Sequence, residues 1–428
     1  MNRIFFFVSA LLISNVGLTQ HSGKARPDRM EKRINELARF GKNPQGGVSR
    51  VAFSEADIQG RDYIMRTMKE LGLTVRIDAA GNIIGRRNGK NNSLPAIAFG
   101  SHIDSVPMGG NYDGQVGVVG ALECISILND LKLTTKHPLE VIVFTDEEGG
   151  LIGSRGMNGT LTDEDLEVIS SSGKSIRHGL IDIGGDPVKL KEAIRTNRDL
   201  KAFLELHIEQ GAFLDRDNIN IGVVEGIVGI EWWDVTFVGK ANHAGTTPMD
   251  SRQDALLTAA KFVQLVNEIT TSIEGRQVGT VGRIKAEPGA PNVIPGKVVA
   301  SLEIRDLSRD KIFSIFKKIE EACKKLSDET SVSISFRSYA SSIPAITDKS
   351  MQDMIAANAN KLGLTYRYMP SGAGHDTQDM AKIVPSAMVF VPSKDGVSHA
   401  PDEYTSPHDM ANGASVLFET IMDLDNMK

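Results

Sequence analysis

The chain has 428 residues, 41% of them hydrophobic and 24% charged, which lies within the range of globular proteins and excludes disordered and fibrous classes. At roughly 100–200 residues per domain there is room for about two or three domains, each able to bury a core. A net charge of -6 lacks the basic excess that neutralises phosphates, so nucleic acid is not an expected partner.

Met1, Asn2 and Arg3 precede an apolar run from Ile4 to Val16, the pattern of a secretory signal peptide with cleavage near Gln20. The run is too short to cross about 30 Å of hydrocarbon, which takes roughly 20 apolar residues, and no later stretch approaches that length. A soluble protein exported to the periplasm or beyond is expected, without membrane contact once the leader is removed. Cys124 and Cys323 stand far apart in helical patterns and are read as inert fillers, not a disulfide framework.

The apolar segments Ala96 to Gly100 and Val141 to Phe144 flank a helical pattern from Val116 to Leu128, which predicts strands covered by crossover helices. Ala202 to Leu206 and Ala387 to Val391 look like further strands of the same sheet, assembled from both ends of the chain. Between them the order changes to β-α-β-β-α-β: strand-like Ile230 to Val238, helical Ala255 to Ile269, strand-like Gln277 to Ile284 and Lys297 to Ile304, helical Lys311 to Leu326, strand-like Ser331 to Phe336. The expected organisation is a leader over 1–20, a discontinuous α/β catalytic domain over 21–216 and 337–428, and an inserted ferredoxin-like α+β domain over 217–336.

Chemistry concentrates at the strand ends. His102 follows the first strand in Gly100-Ser101-His102-Ile103-Asp104, where loops of open α/β sheets carry ligands, and Asp104 is spaced to take the second ring N–H of His102. Asp113 lies in a glycine-rich turn opening the next helix. Asp146-Glu147-Glu148 ends the next strand, where one carboxylate can bind metal while its neighbour moves protons. His207 and His399 follow strand-like segments as well. Together His102, Asp113, Glu148, His207 and His399 supply five N/O ligands, enough for two divalent ions if one carboxylate bridges. Zinc, manganese, cobalt and nickel all suit such a set. His21, His137, His178 and His408 have no motif around them and are read as solvent-facing or structural.

Six segments in order carry a resemblance: Gly100 to Val106, Gly110 to Gly114, Asp146 to Gly149, Glu205 to Gly211, Asn242 to Met249 and Ser371 to Asp376. From about residue 30 onward they resemble the N-carbamoyl-L-amino-acid hydrolase and allantoate amidohydrolase group of the M20 metallopeptidase-like superfamily. The resemblance implies a mixed-sheet zinc-exopeptidase-like catalytic domain, a lid and dimerisation domain, and two divalent ions per subunit. Asp113 would bridge them, with His102 and His207 on one ion and Glu148 and His399 on the other. Glu147 would be the general base, and Asp113-Gly114 a candidate non-proline cis bond. His243 would reach the neighbouring subunit's site as oxyanion donor, which requires a homodimer through the lid. Arg305 would grip the substrate carboxylate, with Gln210, Asn292, Gly372 and Ala373 as further contacts.

The implied activity is cleavage of the carbamoyl C–N bond of N-carbamoyl-L-amino acids, a small ureido substrate bearing a carboxylate. Allantoate hydrolysis is the alternative, and a dipeptidase or aminopeptidase, disfavoured by His207, the second. The pattern departs from the group at Gly149 to Arg155, which replaces the group's usual arrangement of a basic residue and an aromatic soon after the acidic pair.

Overall fold

The computed structural model describes residues 23–427. The expected leader, its cleavage point and His21 lie outside these residues. No helix among the described residues is long and apolar enough to cross a membrane.

A nine-stranded mixed sheet forms the larger body. Its middle is four parallel strands in the order Leu139–Phe144, Ala96–His102, Leu200–Ile208 and Ser386–Val391. Three of these are buried along their whole length and the fourth nearly so, which is why their sequences read as continuous apolar runs without alternation. Thr74–Ile77 and Ile83–Arg87 extend one edge as an antiparallel pair; Ile221–Ile227, Ala345–Ile346 and Tyr366–Ser371 extend the other.

The helix Gln115–Asp130 follows Ala96–His102 and is buried from Gln115 to Leu128, as its all-round apolar composition requires. With Pro27–Leu37, Lys349–Lys361 and Pro407–Asn426 it covers one face of the sheet in the largest core cluster. Its one buried acid, Glu123, receives the guanidinium groups of Arg29 at 2.6 Å and Arg33 at 3.1 Å, which ties the first helix to the core.

The second body is the ferredoxin-like insertion. Its antiparallel sheet places Lys297–Asp306 between Gly229–Val238 and the split strand Val278–Thr280 and Ile284–Glu287, with Ser333–Ser342 beyond Gly229–Val238. Alternate residues of Gly229–Val238 are buried, and the helices Ala255–Ser272 and Arg309–Thr330 cover that face. The insertion starts later than residue 217: Ile221–Ile227 pairs with Ser386–Val391 and Tyr366–Ser371 in the large sheet. Its last strand also runs past Phe336 to Ser342. Both segments are strand-like by composition, and only their pairing partners decide which sheet owns them.

Candidate metal centre

The four parallel strands end on one edge of the sheet, and the chemistry gathers there, as ligands do at the carboxyl ends of open α/β sheets. His102 is the last residue of its strand and His207 the last but one of the next. Glu147 and Glu148 open a short helix after Leu139–Phe144, reached through Asp146 at φ 51. Asp113 comes from the turn before Gln115–Asp130, and His399, at φ 55, from the loop after Ser386–Val391.

Asp113 sits at the centre. His207 Nε2 lies 3.1 Å and His102 Nε2 3.7 Å from its Oδ1. His399 Nε2 lies 3.2 Å from Oδ2 and 3.4 Å from Glu148 Oε2. Two triads of potential ligand atoms, His102–Asp113–His207 and Asp113–Glu148–His399, therefore share one carboxylate. Nitrogen and oxygen ligands at about 2 Å from a common ion stand roughly 3–3.5 Å apart, close to these separations. His102 Nε2 and Glu148 Oε1 are buried without a hydrogen-bond partner, a costly state for polar atoms that a divalent cation would relieve. The residues fit a pair of such ions.

The histidines are aimed by their other nitrogens. His207 Nδ1 is 2.9 Å from the Ile208 carbonyl and His102 Nδ1 3.1 Å from the Asp104 carbonyl, so both present Nε2 to Asp113. The Asp104 carboxylate does not take the ring N–H as expected. Its Oδ1 is 3.7 Å from His102 Nδ1, while Oδ2 accepts the Glu148 backbone N–H at 3.2 Å, so it orients the acidic turn instead. Asp113-Gly114 is not cis; the only cis bond among the described residues is Glu287-Pro288, and the chain turns at Gly114 through φ 74.

The electrostatics follow from burial and crowding. Burial raises the Glu147 carboxyl well above its ordinary range, with the charges of Asp376, Glu148 and Asp113 adding to it. Glu148 rises to about 8 through burial and Asp113. Burial favours a neutral His207, but its hydrogen bond to Asp113 together with the charges of Asp113 and Glu205 outweighs this and carries it to about 9; His399 reaches about 9 chiefly through its own bond to Asp113. His102 falls to about 4 by burial.

A cleft of about 350 Å³ opens on this cluster, lined by Asp113, Glu147, Glu148 and His399 together with Gly149, Gly150, Leu151, Ala373 and Gly374. Gln210 also lines it and donates to Asp113 Oδ2 at 2.6 Å. Arg305, at the end of the lid strand Lys297–Asp306, reaches across to the body and donates from Nη1 to the Gly372 carbonyl at 2.7 Å. His243 and Asn292 are elsewhere: both are exposed, on the lid's short Asn242–His243 and Val293–Ile294 ladder or beside it, and neither lines the cleft. His243 Nδ1 accepts the N–H groups of Gly245 at 3.0 Å and Thr246 at 3.2 Å, which leaves Nε2 as the donor.

Several residues of the site were given no role from sequence. Ser398 Oγ donates to Asp113 Oδ2 at 2.9 Å, and Glu403 accepts the backbone N–H groups of Tyr112 and Asp113 at 2.7 and 3.0 Å. Glu205 could complete a third triad with His207 and His375, but it already accepts from Ser101 and twice from Thr377, which makes it a strut between strands. His375 packs on His207 with ring centroids 4.4 Å apart, and Asp376 is fully buried. The signal for these was present, since Glu205, His375 and Asp376 lie inside two of the motifs.

Four parallel strands with a histidine and carboxylate cluster at their carboxyl ends, in a sheet that carries an inserted α+β domain, are the build of a metal-dependent hydrolase. Residues 98–423 match Peptidase family M20/M25/M40. The chain belongs to this family and is an amidohydrolase within it. It is 39% identical over 402 residues to the N-carbamoyl-L-amino acid amidohydrolase of Geobacillus stearothermophilus, covering 93% of this chain and 98% of that protein. It is 33% identical over 395 residues to the allantoate amidohydrolase of Escherichia coli (strain K12), covering 91% and 95%. Among solved structures, a hydantoinase/carbamoylase family amidase from Burkholderia multivorans superposes with a TM-score of 0.87 at 34% identity, covering 95% of this chain and 99% of that one.

Proposed function

We propose that the chain hydrolyses the carbamoyl C–N bond of N-carbamoyl-L-amino acids, releasing the amino acid, carbon dioxide and ammonia. The observation that carries this reading is the sharing of Asp113 by two ligand triads with Glu147 beside them in the same cleft. His102 and His207 would hold one ion, Glu148 and His399 the other, with Asp113 between. Such a pair supplies Lewis acidity to the scissile carbonyl and a nucleophilic water at neutral pH. Glu147 takes the water's proton and returns it to the leaving nitrogen, for which its place beside the two triads in the cleft suits it. His243, with Nε2 free to donate, serves the oxyanion of a neighbouring subunit in a lid-mediated homodimer. Arg305 takes the substrate carboxylate at the junction of lid and body. The leader over residues 1–20 would direct this activity outside the cytoplasm.

The test is turnover by residues 21–428, reconstituted in turn with zinc, manganese and cobalt, read as ammonia release from N-carbamoyl-L-amino acids, their D-forms and allantoate and as free amino acids released from dipeptides. Turnover confined to the L-carbamoyl series is expected. Turnover of allantoate alone would move the substrate while keeping the residues, and turnover of dipeptides alone would replace the reading with a peptidase.

A further inference from the structure

Arg305 is not a free side chain. Its Nε donates to Glu303 Oε1 at 2.6 Å, and the other oxygen of that carboxylate, Oε2, accepts the indole N–H of Trp232 at 2.6 Å. Glu303 and Trp232 are direct cross-strand partners in the lid, and Arg305 lies two residues on, on the same face of the strand. Nη1 of Arg305 then reaches the Gly372 carbonyl at 2.7 Å. A continuous line of donors and acceptors thus runs from Trp232 through Glu303 and Arg305 to the catalytic body. With 22% and 28% of their side chains exposed, Glu303 and Arg305 are partly withdrawn from water, where such bonds count for more.

We propose that Glu303, held by Trp232, is the positioning residue that fixes the Arg305 guanidinium for a substrate carboxylate. The inference rests on the reading of Arg305 as the carboxylate grip. An unrestrained arginine samples many rotamers, and binding would have to overcome the loss of that freedom. Glu303 removes that freedom before substrate arrives while engaging only Nε, and Nη2 has no partner among the described residues. Both neighbours of Glu303 are donors. A carboxylate satisfies both at once, whereas the amide of glutamine has one acceptor oxygen and must abandon either Trp232 or Arg305. The requirement is therefore for a carboxylate at 303 and not merely for a polar side chain.

The experiment uses the metal-loaded chain, steady-state ammonia release, and two substrates: N-carbamoyl-L-methionine and its carboxamide, which lacks the charge Arg305 would grip. Glu303→Gln is expected to raise KM for the carboxylate substrate about tenfold, with kcat within about twofold, and to cut the preference for carboxylate over carboxamide by the same factor. Trp232→Phe, which keeps the carboxylate but frees one oxygen, is expected to give a smaller change in the same direction. A merely structural role would lower turnover of both substrates together and leave the preference untouched, which would overturn the proposal. An unchanged or lower KM in Glu303→Gln would overturn it too, since Glu303 would then only neutralise Arg305. Arg305→Met separates the two levels: if it abolishes the preference while Glu303→Gln does not, only the positioning role fails, and if it leaves the preference intact, the reading of Arg305 falls with it.

Discussion

Gly114→Ala tests how the backbone builds the metal centre. Gly114 stands at φ 74 and ψ -44, on the side of conformational space that side chains disfavour, directly between Asp113 and the helix Gln115–Asp130. A Cβ there would come closer than 3.0 Å to Cε1, Nε2 and Cδ2 of His102. The ring has little room to retreat: it is 1% exposed and stacks on His207 with centroids 5.8 Å apart. Holding a non-glycine residue in such a conformation costs about 1–3 kcal/mol, and overpacking a tight site about 1–3 kcal/mol more, so about 2–6 kcal/mol of destabilisation is expected. Because the collision falls on the Nε2 edge of His102, the ion at His102 and His207 should also bind at least about tenfold more weakly. Chemical denaturation of the metal-free protein reads the first effect and calorimetric zinc titration the second. A variant with the wild-type denaturation midpoint and an unaltered titration would refute the steric reasoning.

If Glu147 is the proposed proton shuttle, Glu147→Gln should bind metal as the wild type does and lose about two to four orders of magnitude in kcat; loss of metal together with activity would make Glu147 a ligand. Metal uptake should depend on pH with a definite sign. Without an ion, His207 and His399 are raised to about 9 and Glu148 to about 8, so at lower pH they hold protons that binding must expel. Apparent zinc affinity should therefore climb between about pH 6 and pH 9 and level off above. Calorimetry in buffers of different ionisation enthalpy counts the protons released, and a flat affinity over that range would contradict the assignment.

The parts of the fold legible in sequence were those with local causes. Ala96 to Gly100 and Val141 to Phe144 are apolar because they are buried on both faces, and that burial is also what made them recognisable as parallel strands. The β-α-β-β-α-β order of the insertion was readable for the complementary reason, the alternation of half-buried strands. Its start was not, because Ile221–Ile227 and Gly229–Val238 look alike along the chain and differ only in partner. At the site, residues at strand ends such as His102, Glu148 and His207 announced themselves by position. Those that hold Asp113 in place did not: Ser398 and Glu403 are brought to it from almost the far end of the chain. Asp104 was misread because spacing alone cannot say whether a side chain or its own carbonyl meets the ring. Cys124 and Cys323 are both buried and unpaired, in keeping with their reading as fillers.

The most direct measurement is the number of divalent ions bound per subunit at saturation, by elemental analysis of wild type, Asp113→Asn, His102→Ala and His399→Ala. Sharing of one carboxylate by two triads requires two ions in the wild type, about one in each histidine variant, and neither site intact in Asp113→Asn. A wild type that saturates with a single ion, or an Asp113→Asn variant that keeps two, would contradict the shared centre from which the proposed hydrolysis is derived.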